Sequence, residues 1–141
     1  MSVPGNELTA QQLYGILRLR VDVFVVEQAC PYPELDGRDL LATTHHFWLG
    51  DVDSCLRVLA EPGGIYRVGR VATAKHARGQ GLAAKLMTDA LGVIGDRDSV
   101  LDAQTYARGF YEKFGYVAEG DEFDEDGIPH IRMWRRMAPR R

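Results

Sequence analysis

Lys75, His76 and Arg78 stand just ahead of Gly79, Gly81 and Ala83, and that combination is suited to holding a phosphate-bearing ligand. Small residues let an anion come close to backbone N–H groups, and glycine also reaches conformations closed to other residues. If a helix starts at this point, its first N–H groups lack intrahelical partners and its dipole adds partial positive charge. The three basic side chains reinforce the same site.

Two ligand chemistries fit these letters. Gly79-Gln80-Gly81-Leu82-Ala83-Ala84 satisfies the dinucleotide pattern G-x-G-x-x-A, with Asp98 and Asp102 near the distance of a ribose-binding acid. In a dinucleotide fold, however, the glycines follow the strand almost at once, whereas here Thr73 to Arg78 intervene. About 60 residues follow Gly81, too few for the repeated β-α-β units of a doubly wound sheet. Competition for the site by NAD would test this weaker reading.

The alternative is R-x-x-G-x-A, met by Arg78, Gly81 and Ala83, which resembles the acyl-coenzyme A motif of the GCN5-related N-acetyltransferases. A second motif of that family, A-x-x-F-Y-x-K-x-G-[FY], is matched from Ala107 through Phe110, Tyr111, Lys113 and Gly115 to Tyr116. The segment Leu19 to Gln28, then Cys30-Pro31-Tyr32 and Asp36-Gly37, with Phe123 to Ile131 near the end, is similar to the ElaA branch. The resemblance runs from about Leu13 to Met137. It implies an α+β fold with a mixed central sheet flanked by helices, and acetyl-coenzyme A as cofactor. It also implies pyrophosphate binding by Arg78, Gly79, Gln80, Gly81, Leu82 and Ala83, and pantetheine pairing with the backbone of Val71, Ala72 and Thr73. Gln104 stands where the family commonly has Asn, and its amide could serve the same cofactor arm.

Acetyl transfer needs an acid for the departing thiolate and a base for the attacking amine. Tyr111 is the acid that the second motif implies, because a phenol of pKa about 10 stays protonated near neutrality. Without that motif it would read as the core aromatic of a short amphipathic helix. An amine of pKa about 10.4 must lose a proton before it attacks. Glu27 and His130 are candidates to receive that proton, often through water. Glu27 could instead cap backbone or pair with an arginine, and His130 could be structural.

Composition bounds the rest. The chain has 141 residues, 45% of them hydrophobic, and is read as a single domain spanning 1–141 with a core of its own. A net charge of −3 argues against nucleic acid as a partner. The expected partner is a small-molecule amine, or a lysine or amino-terminal acceptor. Cys30 and Cys55 form no C-x-x-C, no ligand spacing links them to His45, His46, His76 or His130, and no metal site is expected. Neither a leader segment nor a spanning apolar run is recognisable, so a soluble cytoplasmic protein, monomer or homodimer, is expected.

These groups must be carried by a recognisable set of elements. Thr9 and Gln12 make a capping-box signal for a helix from Ala10 to Val26, with Leu13, Leu17, Val21 and Phe24 as its apolar stripe. His45–Leu49 and Cys55–Glu61 read as a hairpin, with at most one of the tandem histidines facing the core and both structural. After the Pro62-Gly63-Gly64 turn comes the strand that ends near Ala72. A helix from Leu82, striped by Leu86, Ala90 and Val93 with Ala83, Met87 and Ile94 beside them, stops at Gly95. Val100–Gln104, Ala107–Phe114, Tyr116–Glu119 and Ile128–Met137 read as strand, helix, strand and strand.

Six of the eight residues from Glu119 to Asp126 are acidic, and Glu34, Asp36 and Asp39 form a second acidic loop. Such runs are commonly solvated faces, and equally they could draw in a cationic amine. The leading expectation is an N-acetyltransferase that works by direct attack in a ternary complex. The alternative is a non-catalytic acyl-coenzyme A sensor on the same fold.

Overall fold

The structure is a computed structural model, and it describes residues 1–137. Eight strands form one mixed sheet: β1 (Ser2–Pro4), β2 (His45–Leu49), β3 (Ser54–Glu61), β4 (Ile65–Thr73), β5 (Ser99–Gln104), β6 (Val117–Ala118), β7 (Phe123–Glu125) and β8 (Ile128–Arg135). Their spatial order is β1-β2-β3-β4-β5-β8-β6, with β7 also on β8. Among the described residues only β4 and β5 run parallel. The sheet is flanked by α1 (Ala10–Arg20), α2 (Leu82–Ile94) and α3 (Arg108–Glu112), which is the α+β mixed-sheet architecture expected. No helix among the described residues is long and apolar enough to cross a membrane.

The hairpin β2–β3 and the strands around the glycine loop fall within a residue or two of their expected bounds. Two strands had no signal: β1 is three residues ending in Pro4, and β7 lies inside the acidic run. Both are held by pairing to a neighbour, to β2 and to β8. The short helix covers only Arg108–Glu112, after a 3-10 turn at Thr105–Ala107.

The first helix begins with the capping box read from the sequence. Thr9 Oγ1 accepts from the Gln12 N–H at 3.1 Å, and Gln12 Oε1 accepts from the Thr9 N–H at 3.0 Å. At Val21 the winding widens to a π-helix that lasts to Glu27. The backbone bonds Gln28 N–H to Val23 O at 3.2 Å and Cys30 N–H to Val25 O at 3.1 Å span five residues. Four valines crowd this segment, and β-branched side chains are poorly accommodated by tight helical winding.

The expected stripe on this helix is corrected. Ile16, Leu19, Arg20 and Val23 face the sheet, while Val21 is exposed. On α2 the buried residues are Leu86, Met87, Ala90 and Ile94, and Val93 points outward. In both helices the face is decided by where the sheet lies. Leu86, Met87, Ala90 and Ile94 pack on Phe47, Val58, Val68, Leu101 and Met133 on one side of the sheet. Ile16, Leu19 and Val23 pack on Trp48, Cys55 and Ala72 on the other.

In the second acidic loop Glu34 and Asp39 are buried, and all three carboxylates are ion-paired. Arg20, only 1% exposed, donates through Nε to Glu34 at 2.7 Å and through Nη1 to Asp39 at 2.6 Å. Arg57 Nη1 donates to Asp36 and to Asp39, both at 3.0 Å, and Arg70 Nε donates to Glu34 at 2.8 Å. Tyr32 donates to Glu34, and His46 Nε2 meets the Asp39 carbonyl at 2.8 Å. Three guanidinium groups are thus matched by three carboxylates, and the loop from Tyr32 to Asp39 is fastened to α1, β3 and β4. A charge buried this deeply is tolerated only when it is fully paired.

The cluster sets a pH dependence. Arg57 beside Asp36 holds that carboxyl well below the usual range. Burial pushes Asp39 up, but its bonds to Arg20 and the charges of Arg20 and Arg57 leave it lowered on balance. Burial lowers His46. Each of these groups binds fewer protons folded than unfolded, so stability rises with pH through its window. Stability is expected to begin falling below about pH 6.5, where unfolded histidine charges, and to drop more steeply below about pH 4. Asp39→Asn should cost about 3–5 kcal/mol and flatten the acid limb, as read by denaturant titration across pH.

Candidate active site

A left-handed residue in the middle of β4 opens the site. Arg70 has φ +52°, and the register with β3 jumps there, from Cys55 opposite Ala72 to Arg57 opposite Gly69. The bulge bends β4 away from β5. Pairing between those two parallel strands is confined to Tyr66–Ser99 and Arg67–Val100. Beyond that rung the strands part around a cleft of about 930 Å³. Val71, Ala72, Thr73, Ala83, Gln104, Tyr111, Glu27, Arg78 and His130, all named from the sequence, line it. Gly79, Gln80 and Gly81 are exposed on the loop and Leu82 is half-buried at the start of α2.

Backbone conformation explains the glycines. Gly79 and Gly81 have φ +79° and +76°, where side chains are strained, and a Cβ on either would meet open space. They are needed for the turn that brings the loop onto the N-terminus of α2. Arg78 folds back over this loop, with Nε donating to the Thr73 carbonyl at 3.1 Å.

Glu27 does not stand free. Arg78 Nη1 and Nη2 each donate to one of its carboxylate oxygens at 2.6 Å. That bidentate bond lowers the Glu27 carboxyl and raises Arg78. The next residue, Gln28, exchanges amide hydrogen bonds with Gln104 at 3.3 and 3.2 Å. The end of the π-helix therefore spans the cleft, touching the loop after β4 on one side and the end of β5 on the other. Gln28 had no assigned role, although it ends the segment whose letters matched the ElaA branch.

Tyr111 is 9% exposed and packs edge-on against Phe110 and Tyr116, at centroid distances of 5.1 and 6.4 Å. Burial pushes its phenol well above the usual range. It is at once a core aromatic and a wall of the cleft.

His130 sits on β8 opposite Gln104. Its Nδ1 lies 2.7 Å from the Ile128 carbonyl. A carbonyl only accepts, so Nδ1 carries a proton and, in the neutral ring, Nε2 presents its lone pair. Nε2 faces Glu125 at 3.5 Å, and Phe123 stacks on the ring at 6.0 Å. The acidic run thus reaches the cleft through Glu125 and Asp126, while Glu119 is turned away onto Arg136. Glu125 was visible in the sequence only as one acid among six, because nothing local marked β7 as the strand that aims it.

Comparison with known proteins follows the same lines. Residues 38–137 match the family model for an acetyltransferase (GNAT) domain. The chain is 52% identical over 138 residues to a UPF0039 protein of Mycobacterium tuberculosis, covering 93% of this chain and 88% of that one. It is 37% identical to the protein ElaA of Escherichia coli, covering 94% and 92%. The crystal structure of that ElaA superposes with a TM-score of 0.88 at 35% identity over 96% of this chain and 97% of the other. An acyl-CoA N-acyltransferase from Pseudomonas aeruginosa superposes equally well, with a TM-score of 0.88 at 39% identity and the same coverage.

One thiol is hydrogen-bonded and the other is fully buried. Cys30 Sγ donates to the Asp126 carbonyl at 3.2 Å, and Cys55 is fully buried, its thiol pushed up by burial to about 12. A low-pKa thiolate is what nucleophilic chemistry requires. Cys55 should resist a thiol reagent such as DTNB in the folded protein up to moderately alkaline pH and react promptly in denaturant. Rapid native labelling of Cys55, located by peptide mapping, would contradict this geometry.

Proposed function

The chain belongs to the GNAT acetyltransferase family, in its ElaA-like branch, and from that premise we propose that it transfers acetyl from acetyl-coenzyme A to a primary amine by direct attack. One observation carries the reading. The divergence of β4 and β5 leaves an unpaired β4 edge between the Arg78 loop and Tyr111, all on one cleft.

The cofactor's three chemical parts match the residues present. A pyrophosphate suits the Arg78 guanidinium and the N–H groups at the start of α2. A pantetheine amide suits the stretch of β4 at Val71, Ala72 and Thr73 that β5 leaves unpaired, with Gln104 across the gap. Arg78 is already satisfied by a carboxylate, so its site is shaped for an oxyanion, and Glu27 occupies it in competition with the ligand. When bound, the coenzyme would supply an activated acyl thioester.

Proton handling falls to two side chains. Tyr111, kept protonated by burial, donates to the thiolate as charge develops there. His130, which lines the cleft with its Nδ1–H held by the Ile128 carbonyl, accepts the proton of the incoming amine at Nε2 directly or through water. Glu27 is the weaker base because its carboxyl is lowered by Arg78. Cys55 is buried away from attack and Cys30 is bonded to the Asp126 carbonyl, which supports direct transfer in a ternary complex.

The first test is calorimetric binding of acetyl-coenzyme A, followed by free-thiol release across a panel of amines. Failure to bind would remove the loop assignment, and binding without release from any amine would favour a sensor. Tyr111→Phe should lower kcat by about a hundredfold or more while leaving coenzyme affinity unchanged. Glu27→Gln should tighten coenzyme A binding several-fold by freeing Arg78. An unchanged or weaker affinity would mean that the Glu27–Arg78 pair does not compete with the ligand.

A further inference from the structure

Five carboxylates line the cleft, and arginines have taken three of them. Arg78 holds Glu27, Arg57 holds Asp36, and Arg67 and Arg132 hold Asp102. Among the described residues, the side chains of the other two, Glu125 and Asp126, receive no guanidinium or ammonium group. Arg132 feels the charge of Glu125, but its hydrogen bonds go to Asp102. Every arginine that lines the cleft is likewise ion-paired with a carboxylate. The uncompensated charge of the cleft is therefore negative, and it lies at the His130 corner.

The two ring nitrogens of His130, a residue only 8% exposed, differ in their partners. Nδ1 donates to the Ile128 carbonyl at 2.7 Å, which leaves Nε2 an acceptor in the neutral ring. Nε2 lies 3.5 Å from Glu125 Oε2, longer than a hydrogen bond. An ionised carboxylate only accepts. Two acceptors thus face each other without a donor, and a donor that carries positive charge would complete the arrangement. The hairpin holds both groups in place. Phe123, opposite His130 in the β7–β8 pairing, stacks on its ring at 6.0 Å, and Cys30 Sγ donates to the Asp126 carbonyl at the turn at 3.2 Å.

We propose that Glu125 and His130 Nε2 together seat the acceptor amine in its protonated form. The acceptor class that follows is an alkylamine that arrives as an ammonium ion, rather than an arylamine or an alkoxyamine, which are neutral near pH 7. This rests on the acetyltransferase reading. The ammonium donates one N–H to Glu125 and another to Nε2. That second N–H bond then breaks, Nε2–H forms, and the electron pair stays on the amine nitrogen, where it is free for attack. The ring returns the proton to water once the product has left. Glu125 is the specificity residue of this seat, because its charge favours the ammonium form over a neutral amine.

The probes are butylamine and O-propylhydroxylamine, chains of equal length of which only the first is charged at pH 7. With acetyl-coenzyme A saturating, Glu125→Gln should lower kcat/KM for butylamine about fivefold, chiefly through KM, and spare O-propylhydroxylamine. Asp124→Asn, which removes the same charge from an exposed position outside the cleft lining, should alter neither value. An equal effect of Glu125→Gln on both probes identifies a structural His130–Glu125 ion pair and overturns the proposal, as does no effect on either. The Nε2 nitrogen resonance of His130 in the coenzyme A complex reads the seat without turnover. Butylamine should shift it in the parent protein and much less in Glu125→Gln, and no shift in the parent overturns the seat. A Glu125-dependent shift without thiol release from any amine upholds the seat and removes the acetyltransferase reading. Thiol release indifferent to Glu125 does the reverse.

Discussion

Arg20 is the group on which the rest of the arrangement depends. A guanidinium at 1% exposure is stable only if carboxylates follow it into the interior, and Glu34 and Asp39 do so from a loop with little regular structure of its own. That requirement fastens the loop between the π-helix and β2 against the sheet. Arg57 and Arg70 reach the same carboxylates from β3 and β4. The front wall of the cleft is therefore held by charge pairing, while the sheet and α2 behind it are held by apolar packing.

The same cluster bears on how the sheet opens. Arg70 occupies the left-handed position of the β4 bulge, and its side chain is bonded to Glu34. A non-glycine residue in that conformation carries strain that surrounding contacts must offset. The bulge diverts β4 from β5, and the diverted edge is what lines the cleft. On its far side, the widened helical winding from Val21 to Glu27 brings Glu27 and Gln28 to span the gap. Backbone irregularities in two elements thus build the site, each stabilised by a polar contact with another part of the chain.

Much of this was legible in the residues. The capping box at Thr9, the hairpin turn after Leu49, the glycine loop and the stop at Gly95 are local signals, and each element appears close to where they put it. Tyr111, His130, Arg78 and Glu27, named from separate stretches, line one cleft. Other features were not legible. On α1 the buried face includes Arg20, which no apolar stripe would place inside, and on α2 the exposed Val93 is as hydrophobic as its buried neighbour Ile94. Glu34 and Asp39 look like surface acids because their partners lie far away in sequence.

The sequence by itself determined where most helices, turns and strands lie, β1 and β7 excepted, and which loop could hold an anion, because capping, glycine conformation and periodicity act over a few residues. Only the tertiary structure decided the pairings. Glu27 meets Arg78, Asp102 meets Arg67 and Arg132, and Glu125 meets His130. The physical reason is that an ion pair has no sequence range. Any carboxylate can satisfy any guanidinium, and the choice between them is made by the sheet register and by the cost of leaving a buried charge alone.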